Sequence, residues 1–78
     1  MNSDRLNIHE FREALREVKD LRGWSWTDMA ILSGVSKPRL TSMMYDKRLN
    51  TISKQWATDL LRSLLEDRPK EQRQYDPF

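Results

Sequence analysis

The stretch SWTDMAILSGVSKPRLTSMMY, residues 25–45, predicts two short helices joined by a tight turn. Ser25 and Asp28, three residues apart, form an approximate capping box, and Ser36 stands directly before the second helix. Gly34 lies between the two helices, where glycine can adopt the left-handed conformation that ends a helix and redirects the chain. The stretch therefore predicts a helix-turn-helix unit.

The composition is typical of one small, compact domain. The chain has 78 residues, of which 37% are hydrophobic and 33% are charged. Because it has no cysteine and a single histidine, we expect no disulfide, no metal site and no cofactor. No apolar run approaches the roughly 18 residues of a membrane span, and the N-terminus lacks the apolar core of a signal peptide. We therefore expect a cytoplasmic protein without membrane contact.

Two further helices are predicted to flank the unit. The first begins after Asn7 and stops at Gly23, with Arg12 on a solvated face of mixed charge. The last is capped by Ser53 and ends at Pro69, because the residue before a proline disfavours helix. These helices predict an all-α fold, a compact domain of four or five helices.

The predicted core residues recur at helical spacing. They are Ile8, Phe11, Ala14, Leu15, Val18, Leu21, Met29, Ala30, Ser33, Leu40, Met43, Trp56, Ala57, Leu60, Leu61, Leu64 and Leu65, with Met44 at the margin. We assign residues 1–67 to the domain and residues 68–78 to a polar C-terminal tail, which is either flexible or the start of a linker. Residues 1–6 are predicted to be a disordered start or an arm that carries Arg5.

Positive charge is concentrated in residues 37–54. That stretch has five basic residues against Asp46 alone, a net charge of +4, whereas residues 1–36 and 55–78 each carry −1, which together give the chain its net charge of +2. A basic cluster on the second helix of a helix-turn-helix unit indicates an anionic partner, and nucleic acid fits best. The alternative is a solvated basic face with no partner.

Enzymatic readings find no support in the sequence. With two glycines in the whole chain, no phosphate-binding loop or nucleotide fingerprint exists. The single histidine, His9, lies in the first turn of a helix and is most simply a surface residue. No serine stands in the strand-and-turn setting of a nucleophile. We expect the protein not to be an enzyme.

Contacts to double-stranded DNA can be assigned from the position of each residue in the unit. An α-helix fits the major groove, and residues near the N-terminus of the second helix reach base edges. Arg39 can form two hydrogen bonds to guanine. The predicted base contacts are Lys37, Pro38, Arg39, Thr41 and Ser42. The predicted phosphate contacts are Thr27, Tyr45, Lys47 and Arg48.

The segment LREVKDLRGWSWTDMAILSGVSKPRLTSMMYDKR, residues 15–48, resembles the lambda-repressor-like (Cro/CI, XRE) helix-turn-helix family. Ala30, Gly34 and Val35 match its small-residue, turn-glycine and following apolar positions, and Leu40 and Met43 match two apolar positions of its recognition helix. The likeness extends over about residues 6–65. It implies base contacts from Lys37, Pro38 and Ser42 and phosphate contacts from Lys47 and Arg48.

The resemblance implies a sequence-specific transcriptional regulator, such as a phage-type repressor or a Cro-like protein, acting on an operator in the nucleoid of a bacterial host. Trp26 replaces a glutamine that touches DNA in the family, and we expect it to pack instead. Asp46 replaces the usual glycine after the recognition helix. The chain shows no fifth helix, so a monomer and a weak homodimer both stay open.

Two alternatives to a repressor are open at the level of sequence. An antitoxin or an excisionase-like accessory protein would bind DNA by the same chemistry. A protein-interaction module would use the same scaffold to hold a partner through Trp26, Met44, Tyr45 or the aromatic residues of the tail, Tyr75 and Phe78.

Overall fold

The computed structural model describes residues 4–71, which form four helices and one two-stranded sheet. In chain order the elements are β1 (Arg5–Asn7), α1 (Ile8–Arg22), α2 (Trp26–Ser33), α3 (Lys37–Tyr45), β2 (Thr51–Ser53) and α4 (Lys54–Leu65). The predicted starts of all four helices and the predicted ends of the first three are confirmed.

The helix ends follow from local side-chain chemistry. The Asn7 side chain accepts a hydrogen bond from the amide of the second residue of α1, at 2.8 Å. Ser25 and Asp28 form the predicted capping box, each accepting from the backbone N–H of the other at 3.2 and 3.0 Å. Gly23 and Gly34 end α1 and α2 with φ of 68° and 77°, the left-handed region that glycine adopts most readily.

The fold is mostly helical, as predicted, but the expectation of an all-α domain missed a short antiparallel sheet. Arg5 pairs with Ser53 and Leu6 with Ile52, so the sheet joins the start of α1 to the start of α4. The Arg5 guanidinium donates to the side-chain and backbone oxygens of Thr51 at 3.2 and 3.3 Å. The prediction that residues up to Leu6 form a disordered start or a free arm is therefore wrong for β1.

The core lies where the four helices and β2 meet. Its buried apolar residues are Ile8, Phe11, Leu15, Met29, Val35, Leu40, Met43, Met44, Ile52, Trp56, Ala57, Leu60 and Leu64. Three predictions are wrong, since Leu21 is 77% exposed, Leu65 is 59% exposed, and the half-buried Ala14 is not among the residues packed against the core. Each of the two leucines lies about 100° or more around its helix from the centre of the buried stripe, at 100° per residue. Met44, which was expected at the margin, is buried.

The chain after α4 folds back onto α2. The helix stops at Leu65, ahead of the predicted stop at Pro69, and Asp67 turns the chain at a φ of 56°. The Lys70 amide then donates to the carbonyl of Ile31 at 2.9 Å, one of the C-terminal carbonyls of α2. Residues 72–78, and with them Tyr75 and Phe78 of the predicted tail, lie outside the described residues. Within residues 4–71, no helix is both long and apolar enough to cross a membrane.

Candidate nucleic-acid interface

Helix α3 has two chemically different faces. Leu40, Met43 and Met44 are buried against the core. Most of the rest of its circumference is exposed: Pro38, Ser42 and Tyr45 lie opposite the buried stripe, and Lys37 and Arg39 flank it on either side. The short helix α2 packs beside α3, and residues 34–36 form the whole connection between them. The polar and basic face of α3 is therefore held outward by the burial of its apolar face.

The five predicted base-contact residues lie on the first two turns of α3, and four of them are exposed. Thr41 is different, because the residue is half-buried and its hydroxyl donates to the carbonyls of Lys37 and Pro38 at 3.1 and 3.0 Å. The single hydroxyl proton is used inside the helix. Thr41 therefore retains an acceptor lone pair and a methyl group for an outside partner, and it offers no free donor.

Arg12 of α1 anchors the C-terminal end of α3, a role that the sequence did not predict. Its Nε donates to the carbonyl of Met43 at 2.8 Å, and its Nη2 donates to the carbonyl of Asp46 at 2.7 Å. A cation at the C-terminus of a helix also interacts favourably with the helix dipole. The placement of Arg12 on a solvated face was wrong, since this side chain is half-buried. It fixes the position of α3 relative to α1.

Asp46 and Arg48 form an ion pair in the loop after α3. Arg48 donates to the Asp46 carboxylate from its backbone amide at 2.9 Å and from Nε and Nη2 at 3.2 Å each. The side-chain hydrogen bonds from Arg48 are the main reason why the pKa of Asp46 is lowered from its ordinary value. The same pairing raises the pKa of Arg48. The predicted phosphate contact at Arg48 is therefore already engaged by an acid of the same loop.

The other predicted phosphate contacts lie in varied surroundings. Lys47 is exposed and has no ion-pair partner within residues 4–71, and Tyr45 is 62% exposed on the last turn of α3. Thr27 is exposed at the start of α2, but the Asp28 carboxylate occupies the same helix end. That carboxylate opposes a phosphate at this position. Among these three residues, Lys47 is the strongest candidate for a phosphate contact on electrostatic grounds.

Trp26 is half-buried against the core, as the sequence led us to expect. The ammonium of Lys19 on α1 lies 5.2 Å from the centre of its ring, within the range of a cation–π interaction. The indole therefore links α1 to α2. Its position at the start of the helix-turn-helix unit is explained by packing.

The sequence carried one weak signal for the role of Arg12. Arg12 follows Ile8 by four residues and precedes Leu15 by three, so it borders the buried stripe of α1. A long arginine at such a border can bury its stem and reach a neighbouring helix. The acceptors that it reaches are backbone carbonyls more than 30 positions away, and no pattern along the chain marks them.

Comparison with protein-family models, with curated proteins and with solved structures finds no match to this chain. The resemblance to the lambda-repressor-like family therefore depends on the motif residues themselves, and membership of that family is part of the proposal below. Within residues 4–71 no group of three or more acidic, histidine or cysteine side chains could hold a metal ion.

Proposed function

We propose that the protein is a sequence-specific, double-stranded DNA-binding transcriptional regulator of the lambda-repressor-like class, in the manner of a phage repressor or a Cro-like protein. In this proposal α3 enters the major groove of an operator. The observation that carries it is the exposed surface of α3, on which Lys37, Arg39 and Ser42 lie within the first two turns while the apolar face of the helix is buried.

The charge around this face supports a polyanionic partner. Between Asp28 and Asp59 the sequence contains one acidic residue, Asp46, and its charge is balanced by Arg48. DNA attracts such a surface because binding releases counterions condensed on the phosphates. A face that is only solvated tolerates acidic residues as well as basic ones, so their near absence from a stretch of this length favours an anionic partner.

Each residue of the face has a distinct role in the proposal. Arg39 recognises guanine through two hydrogen bonds, and Ser42 bonds to a base edge or a nearby phosphate. Pro38 can offer apolar contact to a thymine methyl group, while Lys37 reads guanine or holds a phosphate. Lys47, past the end of the helix, neutralises a phosphate and positions the domain without reading sequence.

The first experiment is selection of bound sites from a pool of random duplexes, followed by fluorescence anisotropy on the selected site. The symmetry of the site separates a monomer from a dimer, since a dimer reads two half-sites about one helical turn apart. Arg39→Ala should weaken binding to the selected site by about 5- to 150-fold, equivalent to about 1–3 kcal/mol, and relax the sequence preference. Lys47→Ala should weaken binding to all duplexes alike.

Arg62→Ala is the matched control, because it removes an exposed arginine from α4 and should leave affinity nearly unchanged. About four phosphate contacts, the number predicted from the sequence, would give a plot of log K against log salt with a slope near −4, about −0.9 per contact. Because Arg48 is paired with Asp46, we expect about three contacts in the wild type and a slope near −3. A slope near zero, or no loss of affinity in both Arg39→Ala and Lys47→Ala, would overturn the proposal. Failure to bind any duplex would favour the protein-interaction alternative.

An antitoxin or excisionase-like accessory protein predicts the same binding results, because it recognises DNA with the same residues. The operator itself separates these roles from repression. A selected site that overlaps a promoter and lowers its transcription in the presence of the protein supports a repressor. Binding without an effect on transcription supports the accessory role.

A further inference from the structure

The position of the Asp46 carboxylate is fixed by hydrogen bonds to the side chain and to the backbone of this residue. Within residues 4–71, the three hydrogen bonds that the carboxylate accepts all come from Arg48, two through the guanidinium and one through the backbone amide. The backbone of Asp46 is held as well, since its amide donates to the Ser42 carbonyl at 2.8 Å and its own carbonyl accepts from Arg12. The carboxylate therefore has a defined position beside the C-terminal end of α3.

The two partners differ in exposure. The Asp46 side chain is 20% exposed, whereas the Arg48 side chain is 90% exposed. A phosphate that approaches the guanidinium of Arg48 must come close to the fixed carboxylate. The approach then either breaks the hydrogen bonds of the pair or places two negative groups side by side, and in both cases the carboxylate offsets part of the attraction between the guanidinium and the phosphate.

We propose that Asp46 removes Arg48 from the set of phosphate-binding residues and thereby limits binding to DNA of any sequence. This inference rests on the proposed function. Asp46 is then a positioning residue that acts through Arg48. Arg48 itself is not a phosphate contact in the wild type, because its charge is paired with Asp46. Sequence-independent affinity is the quantity affected, because that affinity depends on the number of phosphates neutralised.

Asp46→Asn tests the inference with little change in structure. The asparagine Oδ1 can accept the hydrogen bond from the Arg48 amide, so the turn is kept while the negative charge is removed. The four proteins to compare are the wild type, Asp46→Asn, Arg48→Gln and the double variant, each checked for helix content by circular dichroism. Binding is measured on a duplex of random sequence over a range of salt concentrations.

The expected readout is the salt slope. Releasing Arg48 adds about one phosphate contact, so Asp46→Asn should steepen the slope by about 0.9. Its gain in affinity over the wild type should then shrink by about 3.5-fold when salt rises from about 50 to 200 mM. In the Arg48→Gln background the same substitution should leave the slope unchanged, because no arginine is released.

Asp20→Asn is the matched control, since it removes an exposed acid of α1 and raises the net charge equally. It should leave the slope unchanged. An unchanged slope in Asp46→Asn, or an equal change with and without Arg48, would overturn the inference while leaving the proposed function intact. If the wild type binds no duplex, the proposed function fails and this inference fails with it.

Discussion

Replacing Arg12 with alanine tests whether α3 depends on α1 for its C-terminal anchor. The substitution removes both donors that bond to the carbonyls of Met43 and Asp46. It also removes a cation from the negative end of the helix dipole. Alanine has a high helix propensity, so α1 itself should not weaken at this position.

The size of the effect follows from the interactions that the alanine side chain cannot make. A hydrogen bond to a charged group contributes about 1.5–3 kcal/mol, and a cation at a helix C-terminus typically adds about 0.3–1 kcal/mol. Because Arg12 is half-buried, water can reach part of the freed carbonyl surface and offset some of the loss. We therefore expect the free energy of unfolding to fall by about 2 kcal/mol. In a domain of this size, that corresponds to a melting temperature lower by about 8–16 °C.

Thermal and urea unfolding, followed by circular dichroism, measure this loss. Arg16→Ala is the control, since Arg16 lies one turn further along α1 and is exposed, and it should change stability by less than about 0.5 kcal/mol. Arg12→Lys keeps the charge but loses the two-pronged geometry, so it should recover about half of the loss. Equal melting temperatures for Arg12→Ala and Arg16→Ala would refute the assignment of Arg12 as an anchor.

Three further comparisons test the local arguments. Gly34→Ala should lower the melting temperature more than Gly23→Ala. Both positions have positive φ, so alanine costs about 1–2 kcal/mol at either one. At Gly34 the added Cβ would also meet the backbone of the chain after α4, whereas at Gly23 it would meet no atom within 4 Å. Ser25→Ala should cost about 1 kcal/mol and Ser36→Ala less, because Ser36 makes no side-chain capping bond; equal costs would contradict this. The pKa of Asp46 is lowered below 3.8 in the folded state, so its pairing stabilises the fold above that pH and is lost as pH falls through the folded-state pKa. An NMR titration midpoint at or above 3.8 would contradict that assignment.

The sequence predicted best the features that depend on neighbouring residues. Helix starts at Asn7, Ser25 and Ser53 were recognisable because each side chain caps an amide two or three residues away. The ends at Gly23 and Gly34 followed from the one residue type that adopts positive φ without strain. The exposed face of α3 followed from helical spacing, because burial of one face fixes the direction of the other.

The features that the sequence did not predict depend on residues far apart in the chain. Strands β1 and β2 have three residues each, too few to show an alternating pattern. They pair Arg5 with Ser53, two residues that are far apart in the sequence. Arg12 bonds to backbone carbonyls, which every residue carries and which no sequence pattern distinguishes. The pairing of Asp46 with Arg48 is local, but the count of charges along the sequence includes Arg48 as a phosphate contact because it does not show which charges pair with each other.

The ends of α3 give a final argument for a partner at its N-terminal side. Of the helices in residues 4–71, α3 alone has neither an acid in its first turn nor a base in its last. Its first turn instead carries Lys37 and Arg39, where the helix dipole is already positive and an anion is favoured. At the other end of α3, Arg12 of α1 supplies the missing cation. An uncompensated positive first turn is expected where a helix end faces a binding partner. It therefore supports the proposal that the N-terminal end of α3 faces an anionic partner such as DNA.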